Sequence, residues 1–188
     1  MIKYKGIIHN VLNDAPFIGA LIIAPTCSKG CKNCINEHLK TNSILYKDTK
    51  EIIKKVKSNG LNRGIILSGL EWSESLESMI KLTKEALKNN LEVIIYTHLK
   101  EENFMKKAPD LKGLPIYVKF GEYNQNLKTE DNIHFGVKLA TSNQYIRFLK
   151  ISSQTLSYQS TLRLSGKLCV RPAKILNENF TRASFHSK

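Results

Sequence analysis

Acidic residues are in short supply. Only 16 Asp and Glu stand against 29 Lys and Arg in 188 residues, a formal net charge of +13. Such a balance suits nucleic acid, an acidic membrane or an acidic protein. The lysines are scattered, however, and no basic run is interleaved with aromatics, so nucleic acid is not the expected partner. The chain also lacks any apolar stretch of the ~20 residues that span a bilayer. "APFIGALIIAPT" is short and follows "HNVLND", which is too polar for a signal sequence, and Pro25 and Thr26 before Cys27 are not a lipid-attachment context. The expectation is a cytoplasmic protein with no membrane partner. Internal repeats are absent. Cysteine is scarce, with four in all, and a chain of this size buries roughly 70% of its unfolded surface without needing disulfides. Three of the four fall within eight residues, "CSKGCKNC", Cys27 to Cys34. In a reducing compartment that clustering points to metal or catalysis rather than disulfides.

The apolar pattern gives the organisation. "FIGALIIAPT" (17–26) is a near-continuous apolar run ending in Pro and Thr, the pattern of a buried parallel strand. "DTKEIIKKVKSNG" (48–60) reads as a helix: Asp48 and Glu51 form a capping-box start, Ile52, Ile53 and Val56 face inward, and Gly60 stops it. "RGIILSGLE" (63–71) is a second buried strand. "SESLESMIKLTKEALKNN" (73–90) is a second helix, with Leu76, Met79, Ile80, Thr83 and Leu87 at helical spacing. "LEVIIYTHL" (91–99) and "LPIYVKFGEY" (114–123) are further strands. Residues 133–149 read as a short strand, a break and another strand. Strands alternating with helices imply an α/β protein with a mainly parallel sheet. Sites in such sheets form at the carboxyl ends of the strands, which places the cysteine loop and "SGLE" on one face. The composition shifts at 151, where 38 Ser-rich residues carry a single acid, Glu178. The expected division is a domain over 1–150 and a basic, poorly packed appendage over 151–188.

The cysteine spacing is Cys-x3-Cys-x2-Cys. Structural zinc takes four ligands, and His38 or Cys169 could supply a fourth, so zinc stays open. So does a chance cluster. Iron–sulfur clusters also take four thiolates in the ordinary case. Three on one tight loop would leave an iron free for a substrate, which is a catalytic arrangement. Gly30 would let the backbone turn between the first two ligands. Lys29 and Lys32 would favour thiolates beside an anionic cluster.

"CSKGCKNC" resembles the signature of the radical S-adenosylmethionine (radical SAM) superfamily. The resemblance implies that Cys27, Cys31 and Cys34 hold a 4Fe–4S cluster whose fourth iron is chelated by S-adenosylmethionine. Three further stretches are similar to that superfamily. "LSGLE", with Ser68, Gly69, Leu70 and Glu71, resembles the Gly-Gly-Glu motif that holds the methionyl amino group. "IIYTHL" resembles a strand ending in Tyr-Thr-Gly, with His98 after Thr97 in place of Gly. "FGEY…GVKLATSNQYIRFL" resembles the end of the activating proteins of class III anaerobic ribonucleotide reductases, including Ser142, Asn143 and Gln144. The chain departs from the pattern at Asn33, Ile35, Leu70, His98 and Lys119.

The resemblance covers about 15–150. It implies a partial, incomplete β/α barrel and a cofactor site formed by Ser68, Gly69, Leu70, Glu71, Thr97, His98, Lys119, Ser142 and Asn143. It also implies two partners, an acidic flavodoxin- or ferredoxin-like electron donor and a large reductase subunit on which a glycyl radical is raised. Trp72 is expected in packing, and Cys169 as a free thiol.

Overall fold

The structure, a computed structural model, describes residues 1–150. The expected appendage over 151–188, with Cys169, lies outside the described residues. The elements run β1 (Ile2–Tyr4), β2 (Gly6–Val11), β3 (Gly19–Ile23), β4 (Leu45–Lys47), α1 (Thr49–Lys57), β5 (Gly64–Ser68), α2 (Leu76–Lys88), β6 (Glu92–Tyr96), α3 (Glu101–Lys107), β7 (Tyr117–Phe120), β8 (Ile133–His134), β9 (Val137–Lys138) and β10 (Tyr145–Phe148). Six strands form one mixed sheet in the order β10-β7-β6-β5-β3-β2. The four central strands are parallel, and both edge strands, β2 and β10, are antiparallel to their neighbours. β1 pairs with β4, and β8 with β9, in separate two-stranded ladders.

The central strands are apolar because both of their faces are covered. Ile65 and Leu67 of β5 and Val93 and Ile95 of β6 point into the larger core, which also takes Ile52, Ile53 and Val56 of α1, Met79, Leu82 and Ala86 of α2, and Phe104 of α3. Burying each such side chain contributes roughly 1.5–3 kcal/mol. The alternate residues Ile66 and Ile94 join Phe17, Val137, Leu139 and Ile146 in a second cluster, to which no helix contributes. Period-two alternation puts Ser68, Tyr96 and Lys119 on this same helix-free face, towards the carboxyl ends of their strands.

Both capping-box hydrogen bonds of α1 are present between Asp48 and its N3 position, Glu51. The helix ends at Lys57 with Ser58 as its cap, before Gly60. The Ser58 hydroxyl donates to the carbonyl of Lys55 at 2.8 Å, so a side chain closes this helix rather than the expected glycine. Trp72 is fully buried, and its indole N–H donates to the Ile22 carbonyl at 3.0 Å. That is the packing role expected from the sequence. No helix among the described residues is long and apolar enough to cross a membrane.

Candidate functional site

The parallel register brings the carboxyl ends of β3, β5, β6 and β7 to one edge. The cysteine loop leaves this edge after β3 and is tied back at several points. The Ala24 N–H donates to the Ser68 carbonyl at 3.1 Å, and the Glu71 N–H to the Thr26 carbonyl at 3.0 Å. Glu74, in a 3-10 turn after β5, accepts from the Ser28 N–H at 2.8 Å, the Ser28 hydroxyl at 2.7 Å and the Thr26 hydroxyl at 3.2 Å. Lys29 pairs with Glu122, just beyond β7. Lys40 Nζ donates to the Lys29 carbonyl at 3.4 Å, and Lys5 Nζ to the Lys40 carbonyl at 2.8 Å.

The thiols of Cys27, Cys31 and Cys34 are free and partly exposed. Burial pushes the Cys27 thiol up from its ordinary value, as do the carboxylates of Glu74 and Glu71; a backbone hydrogen bond with Lys29 and the charge of Lys40 pull it down. The donor set of three thiols suits an iron–sulfur cluster. Among the described residues no three His, Cys, Asp or Glu side chains stand close enough together to share a metal ion. Gly30 does not play the expected part: its φ is not positive, and an added Cβ would meet nothing within 4 Å. The left-handed residue of this loop is Asn33, at φ 58°.

Glu71 lies across the next two loops. It is 4% exposed. Oε1 accepts from the Ser73 N–H at 3.0 Å and the Thr97 hydroxyl at 3.0 Å. Oε2 accepts from the His98 N–H at 2.9 Å and faces His98 Nδ1 at 2.7 Å. Burial pushes the carboxyl up, but the His98 ring and backbone and the Ser73 N–H outweigh it and hold the pKa at about 2. Lys119 is 8% exposed; its ammonium donates to the Gly121 carbonyl at 2.6 Å and lies 5.9 Å from the centre of the Tyr96 ring. Burial lowers it to about 8, against the pull of Glu71.

A cleft of about 880 Å³ opens beside these loops. It is lined by His98 and Lys100 after β6, Glu101 of α3, Gly121 and Glu122 after β7, and Asn143 and Tyr145 at the start of β10, among others. Gly121 is required here. Its φ is +92°, and a Cβ would stand 2.8 Å from the Asn143 carbonyl oxygen.

Comparison with known families decides what the loop is for. Residues 19–146 match the family model described as a 4Fe-4S single cluster domain, more than half of the chain. The chain belongs to this family. Neither a curated protein nor a solved structure matches it.

For this 4Fe-4S single cluster domain, the matched span contains three cysteines, Cys27, Cys31 and Cys34, all on the loop after β3. Of the other residues singled out from the sequence, His98 and Asn143 line the cleft. Thr97 and Glu71 are buried beside it and bonded to each other. Ser68 and Gly69 are half-buried at the end of β5, while Leu70 is buried in the larger core. Lys119 stands on the helix-free face. Ser142 is exposed, with its N–H on the Leu127 carbonyl at 2.9 Å, and does not line the cleft. Gln144 is buried, reaching the Gly121 carbonyl at 3.5 Å. Sequence reasoning passed over Glu74 and Glu122, the two carboxylates that hold the cysteine loop. Their signal was the scarcity of acids, which makes two carboxylates just beyond strand ends worth weighing.

Proposed function

We propose that this iron–sulfur protein is a radical SAM activating enzyme. It would reductively cleave S-adenosylmethionine at a 4Fe–4S cluster on Cys27, Cys31 and Cys34, and raise a glycyl radical on the large subunit of an anaerobic ribonucleotide reductase. One observation carries the reading: the span matching a 4Fe-4S domain holds only three cysteines, all on one loop at the carboxyl edge of the sheet's parallel strands. Three thiolates leave one iron of a four-iron cluster for a substrate group. When bound, the cluster and S-adenosylmethionine supply a one-electron cleavage and a carbon-centred radical able to abstract hydrogen.

The chain's own residues would place and shelter that chemistry. Glu74 and Glu122 hold the cysteine loop against the ends of β5 and β7. In this reading Ser68, Gly69, Thr97, His98 and Asn143 would contact the cofactor, and of these His98 and Asn143 line the cleft. Lys119 brings a buried ammonium towards the same edge, suited to a carboxylate. We read the sheet, open at β2 and β10, as a partial β/α barrel whose open side is filled by a protein substrate. The excess of cations suits an acidic flavodoxin- or ferredoxin-like donor. Free thiols suit a reducing compartment, the cytoplasm.

One observation favours a second reading, a radical enzyme acting on a small molecule: the cleft falls within the roughly 300–1,000 Å³ common for small-ligand sites. Anaerobic reconstitution tests both. The protein should take up about four irons with sulfide, and once reduced should convert S-adenosylmethionine to 5′-deoxyadenosine and methionine. Adding the large reductase subunit should then produce a glycyl radical signal in electron paramagnetic resonance. Cofactor cleavage without that signal selects the small-molecule reading. Zinc uptake with no cleavage refutes both.

A further inference from the structure

We propose that the tip of the cysteine loop and the β1–β4 ladder form one docking surface, and that its occupant is the acidic redox protein that reduces the cluster. The inference rests on the functional reading for the need of an electron, and deepens it by naming where the donor binds. The donor gives up one electron, which reduces the cluster; no bond is made or broken.

The ladder and the cysteine loop share one edge of the sheet. Lys5, between β1 and β2, donates its N–H to the Ile23 carbonyl at 3.0 Å, at the carboxyl end of β3. β1 therefore stands where the cysteine loop begins, on the β2 side, and β4 pairs with it. The segment between Cys34 and β4 is strapped to both. Lys5 Nζ donates to the Lys40 carbonyl at 2.8 Å and also to the Asn42 carbonyl, and Lys40 Nζ donates to the Lys29 carbonyl at 3.4 Å. The cleft draws its walls from the ends of β6 and β7 and the start of β10, which lie beyond β5 in the strand order. A protein seated on the ladder approaches the cysteines from the flank opposite the cleft.

This flank is apolar where solvent meets it. Ile35, the residue after Cys34, is 86% exposed. All eight residues from Thr41 to Asp48 are exposed, among them Ile44, Leu45 and Tyr46 in succession. Single apolar residues on a surface are ordinary, but a consecutive run is a liability unless a partner covers it. Tyr46 and its neighbours gain little from the core, since β4 has no buried residue.

Cations rim the same flank. Lys3 stands opposite Tyr46 in the ladder, with Nζ 5.9 Å from the centre of its ring. Lys32 lies between the second and third cysteines, and Lys47 ends β4; both are exposed. Among the described residues Lys3, Lys32 and Lys47 have no carboxylate partner. The carboxylates nearest in sequence are already engaged: Glu37 pairs with Lys40 at 2.9 Å, and Asp48 caps α1. A rim of one sign speeds encounter with the opposite sign and fixes its register. The aliphatic centre of Ile35, Ile44 and Leu45 has no use against a phosphate backbone, so the occupant is a protein. Redox encounters are small interfaces, under about 1,200 Å², for which a few apolar side chains and a charged rim suffice.

The test uses the full chain, reconstituted anaerobically with iron and sulfide, and a reduced acidic flavodoxin as probe. Stopped-flow bleaching of the cluster's visible absorbance gives the rate of reduction. Charge reversal at the rim, Lys3→Glu with Lys32→Glu and Lys47→Glu, should slow the flavodoxin reaction about tenfold or more at low salt. Added salt should slow the wild type towards the same rate. Ile35→Ser with Tyr46→Ser should slow it severalfold at any salt. The rate with reduced methyl viologen, a small cation, should not fall in either variant. The control reverses an equal charge at the opposite edge of the sheet, Lys88→Glu with Lys107→Glu and Lys112→Glu, and should keep the wild-type rate within about twofold. Equal slowing by both reversals, or slowing by neither, overturns the docking surface. So does a wild type reduced by methyl viologen but not by flavodoxin. In those cases the functional reading survives if the viologen-reduced protein cleaves S-adenosylmethionine. If the rim variant alone slows reduction but no cofactor is cleaved, the surface stands and the functional reading falls. A wild type that takes up no cluster overturns both.

Discussion

The carboxylate of Glu74 grips Ser28 twice, accepting from its backbone N–H at 2.8 Å and from its hydroxyl at 2.7 Å. Ser28 follows the first cysteine of the loop, so this grip sets where Cys27 stands relative to the end of β5. Glu74 is exposed and packs into no core, so its loss should act on the loop rather than on the fold. In Glu74→Ala we expect iron to pass to a chelator about tenfold faster than in the wild type, the usual effect of removing a partner that orients metal ligands. The melting temperature should stay nearly unchanged. The fading of the cluster's visible absorbance under a fixed chelator concentration measures the rate.

Glu71 makes acid stability measurable. Its pKa lies at about 2 in the fold, against an ordinary 4.5. The folded carboxyl binds its proton more weakly than the unfolded one, so its contribution is fully present above about pH 4.5. It is lost as the pH falls towards 2. The size follows from the shift, about 3 kcal/mol. Urea unfolding of the wild type between pH 5 and pH 2.5 should therefore lose stability faster than that of Glu71→Gln, and the difference between the two curves isolates this group.

Lys119 behaves in the opposite sense. Its pKa of about 8 lies below the ordinary 10.5 because burial disfavours the charged form. The unfolded chain therefore holds this proton more tightly, and the group's contribution to stability rises with pH from about 8 to 10.5. Replacing the buried ammonium by a methionine of similar length removes that penalty. Lys119→Met should be more stable than the wild type at pH 7, by about 1–3 kcal/mol. It should also bind S-adenosylmethionine more weakly if the ammonium meets its carboxylate. Denaturant midpoints and calorimetry separate the two effects.

Gly121→Ala should fail for reasons of backbone. At φ +92° an alanine is strained by about 1–3 kcal/mol. Its Cβ would also press on the Asn143 carbonyl oxygen from 2.8 Å. The expected result is a lower melting temperature and a weaker grip on ligands of the cleft, with iron uptake retained.

The elements legible in the sequence were those whose own residues carry the burial. β3, β5, β6 and β7 are apolar runs, and α1 and α2 show their buried faces at helical spacing. β1, β2 and β4 were not anticipated: β4 is exposed throughout and β2 is never fully buried, so neither forms an apolar run. α3 was not anticipated, because it spans seven residues and buries only Phe104. The antiparallel direction of β10 was not legible either, since alternation is the same whichever way a strand runs. At the site, the cysteine loop stood out by spacing alone. The four donors on Glu71 did not, because they come from two loops whose meeting depends on the parallel register of β5 and β6. The tie between Lys29 and Glu122 spans 93 residues and has no local signature.

The most direct test of the central claim is the yield of 5′-deoxyadenosine from S-adenosylmethionine by the reconstituted, reduced protein, compared across single Cys→Ala variants. The account predicts product from the wild type and from Cys169→Ala alike, and none when Cys27, Cys31 or Cys34 is replaced. A wild type that holds a complete 4Fe–4S cluster yet forms no 5′-deoxyadenosine, or a Cys169→Ala variant that loses the cluster, would contradict it.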